Sequence, residues 1–297
     1  MNVLLATDGS DQAKTAEQLV ASIRWPRGTR IEVVRVYHVE PIDLEMPADA
    51  VRALREVIGK EIDAHLAAVK RDLSGPGREV GTRMLEGRPA SAVVEEARRL
   101  EADLVVVGSR GRGEIASAVL GSVAAEVVDW SPCPVLVARA AKLSGVVVAD
   151  DGSDGSAEAE EVVGSWTFLR GLPVRVVSVA SLVPFYGLDT AGGMIDAQTY
   201  QLMLDGLREL HRGYANEGVK RLGSHGIAAT REVREGSAAA ELIAAAASAK
   251  ADLIVVGSRG RTGLARLITG SVARNVLLHA PVSVLMVRQK VALPPAR

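Results

Sequence analysis

The chain predicts an α/β fold built twice, each half a parallel β-sheet with helices on both faces. Three observations carry this expectation. Hydrophobic residues fill 48% of the 297 positions while aromatics fill 3%, so the cores must be built from Val, Leu, Ile and Ala, the composition of strands buried on both faces. Short apolar runs alternate with stretches of helical spacing in both halves, which implies parallel strands joined by right-handed crossovers. One stretch also occurs twice: residues 104–112, Leu-Val-Val-Val-Gly-Ser-Arg-Gly-Arg, return at 253–261 as Leu-Ile-Val-Val-Gly-Ser-Arg-Gly-Arg.

In the first half, residues 2–7 read as a strand ended by the turn Asp8-Gly9-Ser10. Ser10 is placed to cap a helix through Ala13, Ala16, Leu19, Val20 and Ile23, which Trp25-Pro26 terminates. Residues 31–39 form a second strand. Val51, Leu54, Val57, Ile58, Ile62, Leu66 and Val69 then fall at helical spacing, until Gly75-Pro76-Gly77 breaks the pattern. Residues 79–85 make a third strand, and Gly87-Arg88-Pro89 opens a helix through Val93, Ala97 and Leu100. The repeated strand and glycine loop follow, then a helix from Ser122 and a fifth strand at 134–137.

Residues 140–144 form a connector, after which the order repeats. Residues 146–149 match the first strand, Asp151-Gly152-Ser153 the first turn, 174–179 the second strand and 284–287 the last. Residues 181–193, with Phe185-Tyr186-Gly187, read as a loop. The expected domains are therefore 1–139 and 145–290, with a tail at 291–297 that has no helix or strand signal.

The repeated loop has the chemistry of a phosphate site. Gly108 and Gly111 follow a buried strand, and Gly121-Ser122 comes after nine further residues; Gly257, Gly260 and Gly270-Ser271 repeat the pattern. Glycines let backbone N–H groups approach an anion, and a helix start adds unpaired donors and a positive dipole end. Arg110, Arg112, Arg259 and Arg261 bring positive charge. The alternative is structural: glycines make turns and serine caps a helix. Two copies in register favour the functional loop. In open parallel sheets ligands bind beyond the carboxyl ends of the strands, where strand order reverses. If the first and fourth strands adjoin there, Asp8 and Asp151 face the loops, either bonding a ribose or capping the helix that follows.

A net charge of −1 gives no general affinity for nucleic acid or an anionic membrane. Cys133 is the single cysteine and the five histidines lack ligand-like spacing, so neither a disulfide within the chain nor a thiolate metal cluster is expected. His38, beside the second strand, reads as a buried structural histidine whose counterpart is Ser178. Residues 1–8 lack the basic leader of a signal peptide and no apolar stretch reaches membrane-spanning length, so the expected location is the cytoplasm.

Ala6-Thr7-Asp8-Gly9-Ser10, the paired Gly-Ser-Arg-Gly-Arg loops and the Gly-Ser pairs at their fixed distance resemble a tandem universal stress protein of the ATP-binding branch. The resemblance implies a five-stranded Rossmann-like sheet of order 3-2-1-4-5 in each domain and one ATP per domain. It places Asp8 and Val39 near adenine and ribose, Val107, Gly108, Arg110 and Gly111 along the ribose and first phosphates, and Gly121, Ser122 and Val123 at the outer phosphates. The second set is Asp151, Val179, Val256, Gly257, Arg259, Gly260, Gly270, Ser271 and Val272. It further implies Mg²⁺ or Mn²⁺ held mainly by phosphates, pairing of the two halves through their fifth strands, further homodimerisation and a protein partner that the sequence does not name. Two departures stand out. Ala124 and Ala273 occupy positions where some ATP-binding members have a hydroxyl, and Glu114 in the first loop replaces Gly263 of the second.

The P-loop pattern G-x-x-x-x-G-K-[ST] does not occur, and Gly111-x-Gly113 follows a fourth strand rather than a first, against a dehydrogenase. The expectation is a non-enzymatic, ATP-binding stress-response regulator. The alternatives are a sensor of cyclic AMP or another adenine nucleotide, a slow ATPase, and a nucleotide-free interaction protein.

Overall fold

The structure, a computed structural model, describes residues 1–38, 48–111, 120–181, 197–258 and 270–288. These form two compact units, Met1–Leu143 with Pro281–Arg297, and Ser144–Ala280.

The first unit runs β1 (Asn2–Ala6), α1 (Asp11–Ser22), β2 (Thr29–Tyr37), α2 (Ala48–Leu73), β3 (Arg78–Glu86), α3 (Pro89–Arg99), β4 (Leu104–Gly108), α4 (Ser122–Trp130) and β5 (Val135–Ala138). Its sheet order is β3-β2-β1-β4-β5, and each neighbouring pair is parallel. The order reverses between β1 and β4, where Val3 faces Leu104 and Ala6 faces Val107. Leu4, Leu5 and Leu104–Val106 are fully buried, as central strands covered on both faces require. The helical spacing in α2 is only half used: Ile62, Leu66, Val69 and Leu73 enter the core, while Val51, Leu54 and Val57 are exposed.

The second unit runs β6 (Val146–Ala149), α5 (Asp154–Ser165), a short 3₁₀ turn (Thr167–Leu169), β7 (Val174–Ala180), α6 (Ala197–Ser224), β8 (Ala229–Glu235), α7 (Ala238–Ala249), β9 (Leu253–Gly257) and α8 (Ser271–His279). Its strands lie in the order β9-β6-β7-β8, all parallel, which repeats 4-1-2-3 of the first unit.

The last strand, β10 (Ser283–Val287), belongs to the second sequence repeat but to the first compact unit. It pairs antiparallel with β5, Leu285 opposite Leu136. Every residue of both strands is buried, so the apolar run that reads as the end of one half also covers the edge of the other.

Register also corrects two sequence expectations. Val146 pairs with Val174 as Val3 pairs with Ile31, so Val179 is the counterpart of Val36 and Ser178 that of Arg35. Val39, expected to match Val179, lies outside the described residues. His38 is exposed rather than buried. The hydrogen-bond ladders set this correspondence, with Tyr37 and Ala180 closing β2 and β7 at equivalent positions.

Candidate nucleotide site

Both candidate sites are built on the turn that follows the first strand of the unit. Gly9 and Gly152 adopt φ of 76° and 74°, a left-handed conformation that favours glycine. The preceding aspartate closes the turn, Asp8 Oδ1 accepting from Ser10 N at 2.9 Å and Asp151 Oδ1 from Ser153 N at 3.1 Å. The serine then caps the helix: Ser10 Oγ accepts from Ala13 N and Ser153 Oγ from Ser156 N, both at 3.2 Å. The capping role considered for the aspartate therefore falls to the serine two residues on. The second oxygen, Asp8 Oδ2, is turned toward Gly111, where an added Cβ would stand 2.9 Å from it.

Gly108 is required by packing. A Cβ there would meet the α1 backbone at Gln12 and Ala13 within 2.8–2.9 Å. Gly257 stands in the same way against the backbone of Gly155. The Gly-Ser pair is drawn back to the strand by one hydrogen bond in each unit: Gly121 N donates to Ser109 O and Gly270 N to Ser258 O, both at 2.8 Å. Gly121 and Gly270 are the N-cap residues of α4 and α8, and as glycines they offer no side-chain cap. Ser122 and Ser271 are thus the first helical residues, not caps.

These contacts leave a cleft in each unit. The first, about 290 Å³, is lined by Thr7, Asp8, Val34, Val36, Val93, Val107, Gly108, Arg110, Gly111, Gly121, Ser122 and Val123, among others. The second, about 230 Å³, is lined by Asp150, Asp151, Val177, Val179, Leu242, Val256, Gly257, Gly270, Ser271 and Val272, among others. Ala124 and Ala273 line the same clefts. Arg112, Glu114, Arg259, Gly260 and Arg261 lie outside the described residues, as do Phe185, Tyr186 and Gly187.

Several lining residues escaped the reading of the sequence. Val34 and Val36 become visible once the β1–β2 register is known, and Val177 once the β6–β7 register is known, because alternate strand residues face one side. Val93 and Leu242 had only a core periodicity and carried no signal that distinguished cleft from core.

The floors of the two clefts differ. In the first, Thr7 Oγ1 donates to Glu17 Oε1 at 2.5 Å, and His65 Nε2 stands 3.3 Å from the same oxygen. In the second, Asp150 occupies the position of Thr7 and Glu160 that of Glu17. Asp150 Oδ1 accepts from Gly152 N at 2.8 Å and from Ser156 Oγ at 2.9 Å. Its carbonyl accepts from Ser178 Oγ at 2.5 Å, and that hydroxyl also meets His211 Nδ1 at 2.8 Å. Glu160, fully buried, is paired with Arg221 of α6. Burial first, and the Asp150 charge second, push the Glu160 carboxyl up to about 8 against the pull of Arg221.

Beside the first cleft, burial and then the neighbouring charge of Arg110 hold the Arg139 guanidinium down to about 10. Among the described residues no group of three or more His, Cys, Asp or Glu is arranged to hold a metal ion, and no helix is long and apolar enough to cross a membrane.

The universal stress protein family model matches residues 1–139 and again 144–288. A universal stress protein of Mycobacterium tuberculosis is 29% identical over 301 residues, covering 97% of each chain. One from Thermus aquaticus is 38% identical over 139 residues, 46% of this chain and 97% of its own. The solved structure of a universal stress protein from Archaeoglobus fulgidus shares the fold, with a TM-score of 0.63 at 19% identity, covering 97% of this chain and 98% of that one. Two strand-turn-helix sites on two like sheets, each within a separate match to one family model, make this chain a tandem member of the universal stress protein family.

Proposed function

We propose that the chain is a regulatory protein that binds an adenine nucleotide, with ATP as the expected ligand, at each of its two clefts. The observation that carries this reading is the start of α4 and α8. Each helix opens on a glycine without a side-chain cap, and the Gly121 and Gly270 bonds to Ser109 and Ser258 hold that start beside the end of the fourth strand. First-turn amides and the helix dipole favour an anion there. Arg110 lines the first cleft next to this helix start.

The remainder of each cleft suits a nucleoside. Val34, Val36 and Val93, or Val177, Val179 and Leu242, offer an apolar wall to a flat base. Asp8 and Asp151 line the clefts and would accept a hydrogen bond from a ribose hydroxyl. Mg²⁺ or Mn²⁺ would arrive on the phosphates. Bound nucleotide would then bias conformation, self-association or contact with a protein partner through its different affinity for each state.

The test is the nucleotide released from freshly purified, denatured protein, followed by titration of stripped protein with ATP and with cyclic AMP. Two ATP sites per chain are expected. Cyclic AMP binding in preference to ATP would replace the ligand, and binding of neither would sink the reading. Multiple turnovers of ATP, lost on removing the Gly257 loop, would make the protein an ATPase instead.

A further inference from the structure

The contact between the end of the first strand and the following helix is built from chemically different residues in the two units. In the first unit the donor is the Thr7 hydroxyl and the acceptor Glu17. In the second, both positions carry carboxyls, Asp150 and Glu160. Glu160 Oε2 is engaged by Arg221, whereas Oε1 is buried with no hydrogen-bond donor among the described residues. Oε1 and Asp150 Oδ2 converge beneath Gly218 of α6: an added Cβ there would stand 3.0 Å from Asp150 Oδ2 and closer still to Glu160 Oε1. Two ionised carboxylates cannot bond each other. One proton supplies the missing donor and removes one negative charge from a cleft floor that Asp150 itself lines.

We infer that the second cleft binds its anionic ligand together with a proton held between Asp150 and Glu160, while the first cleft, with Thr7 in that place, binds without one. The inference rests on the nucleotide reading above and adds its regulation.

From α6, Arg221 pairs with Glu160 and also stands 3.8 Å from Glu161, which His225 Nε2 meets at 2.8 Å. His211, also on α6, is linked to the Asp150 carbonyl through Ser178. β6 and β9, packed against α5, carry only apolar side chains and one glycine, and the 3₁₀ turn is uncharged; β7 and β8, packed against α6, carry Arg175, Arg231, Glu232, Arg234 and Glu235, of which Arg175 and Arg234 pair with Glu232 and Glu235 with Arg208. Among the described residues Arg221 is the cation paired with Glu160, and the position of Glu160 near 8 is consistent with a shared proton at neutral pH.

The test is titration calorimetry of the full chain with ATP and Mg²⁺ between about pH 7 and 9.5, in buffers of different protonation enthalpy. Val123→Asp, at the exposed rim of the first cleft, closes that cleft to anions and isolates the second. Wild type should show one site whose affinity falls above about pH 8, toward tenfold per pH unit, with uptake approaching one proton, and one site without uptake. Glu160→Gln, whose amide donates to Asp150 without a proton, should abolish the uptake. Two sites with the same pH profile and no proton uptake would overturn the inference and leave the nucleotide reading intact. Uptake that persists in Glu160→Gln would also overturn it. Absence of ATP binding at every pH would overturn both. If Glu160→Gln does not fold, the proton count of the wild-type chain and of Val123→Asp decides.

Discussion

Asp8 and Gly111 share one space: Oδ1 of the aspartate closes the turn on Ser10 N, and Oδ2 stands 2.9 Å from where Gly111 would carry a Cβ. The glycine therefore lets the strand-four loop descend onto the carboxylate that follows strand one. Gly111→Val should push the loop off Asp8 and remove the first nucleotide site, lowering ATP stoichiometry from two per chain to one. Calorimetric stoichiometry checks this, and unchanged binding at two sites would separate Gly111 from the ligand.

Gly108 and Gly257 should behave differently, since their neighbours are helix backbone. Gly108→Ala forces α1 away from β4 and should cost about 1–3 kcal/mol, in the range of overpacking. Gly257→Ala should do the same to α5 and β9. Chemical denaturation measures the loss. A substitution that spares stability while abolishing ATP binding would show that the packing argument is wrong for that glycine.

Ser283 is fully buried, and its hydroxyl accepts from both Arg139 N and Ala140 N at 3.1 Å, just past the end of β5. Ser283→Ala leaves two backbone donors without this acceptor and should destabilise the first unit by about 1–3 kcal/mol. Hydrogen exchange at Arg139 and Ala140 should quicken most. Faster exchange confined to other strands would place the effect elsewhere.

Glu160 makes the stability of the second unit depend on pH. Its folded value lies near 8, above its ordinary value of 4.5. The folded state therefore holds the proton more tightly than the unfolded one. The resulting stabilisation is complete below about pH 4.5 and is lost as pH rises through about 8. Between these limits the slope should approach about 1.4 kcal/mol per pH unit for one proton. Denaturation across this range should show stability falling with pH, and Glu160→Gln should flatten the curve. An unchanged slope in the variant would assign the proton to another group.

Legibility differed from element to element. The turns at Asp8-Gly9-Ser10 and Asp151-Gly152-Ser153 were readable because an aspartate, a left-handed glycine and a capping serine act within a few residues. The loop glycines were readable as a pattern but not as roles: Gly108 and Gly111 look equivalent in the chain, yet one packs on a helix backbone and the other on a carboxylate. Val36 was missed because its place depends on the pairing of β2 with β1, and a ladder shifted by a few residues presents a different valine. The exposed half of α2 was missed because periodicity reports an apolar stripe, not what covers it.

The amino-acid sequence by itself determined the alternation of strands and helices, the duplication, the turns and the two glycine loops, all products of local propensity and short-range spacing. Tertiary structure alone decided that Val36 lines the first cleft, that β10 pairs with β5, and that Asp150 meets Glu160 beneath Gly218 of α6. Those outcomes depend on register and on contacts between residues far apart in the chain, and no local pattern carries that information.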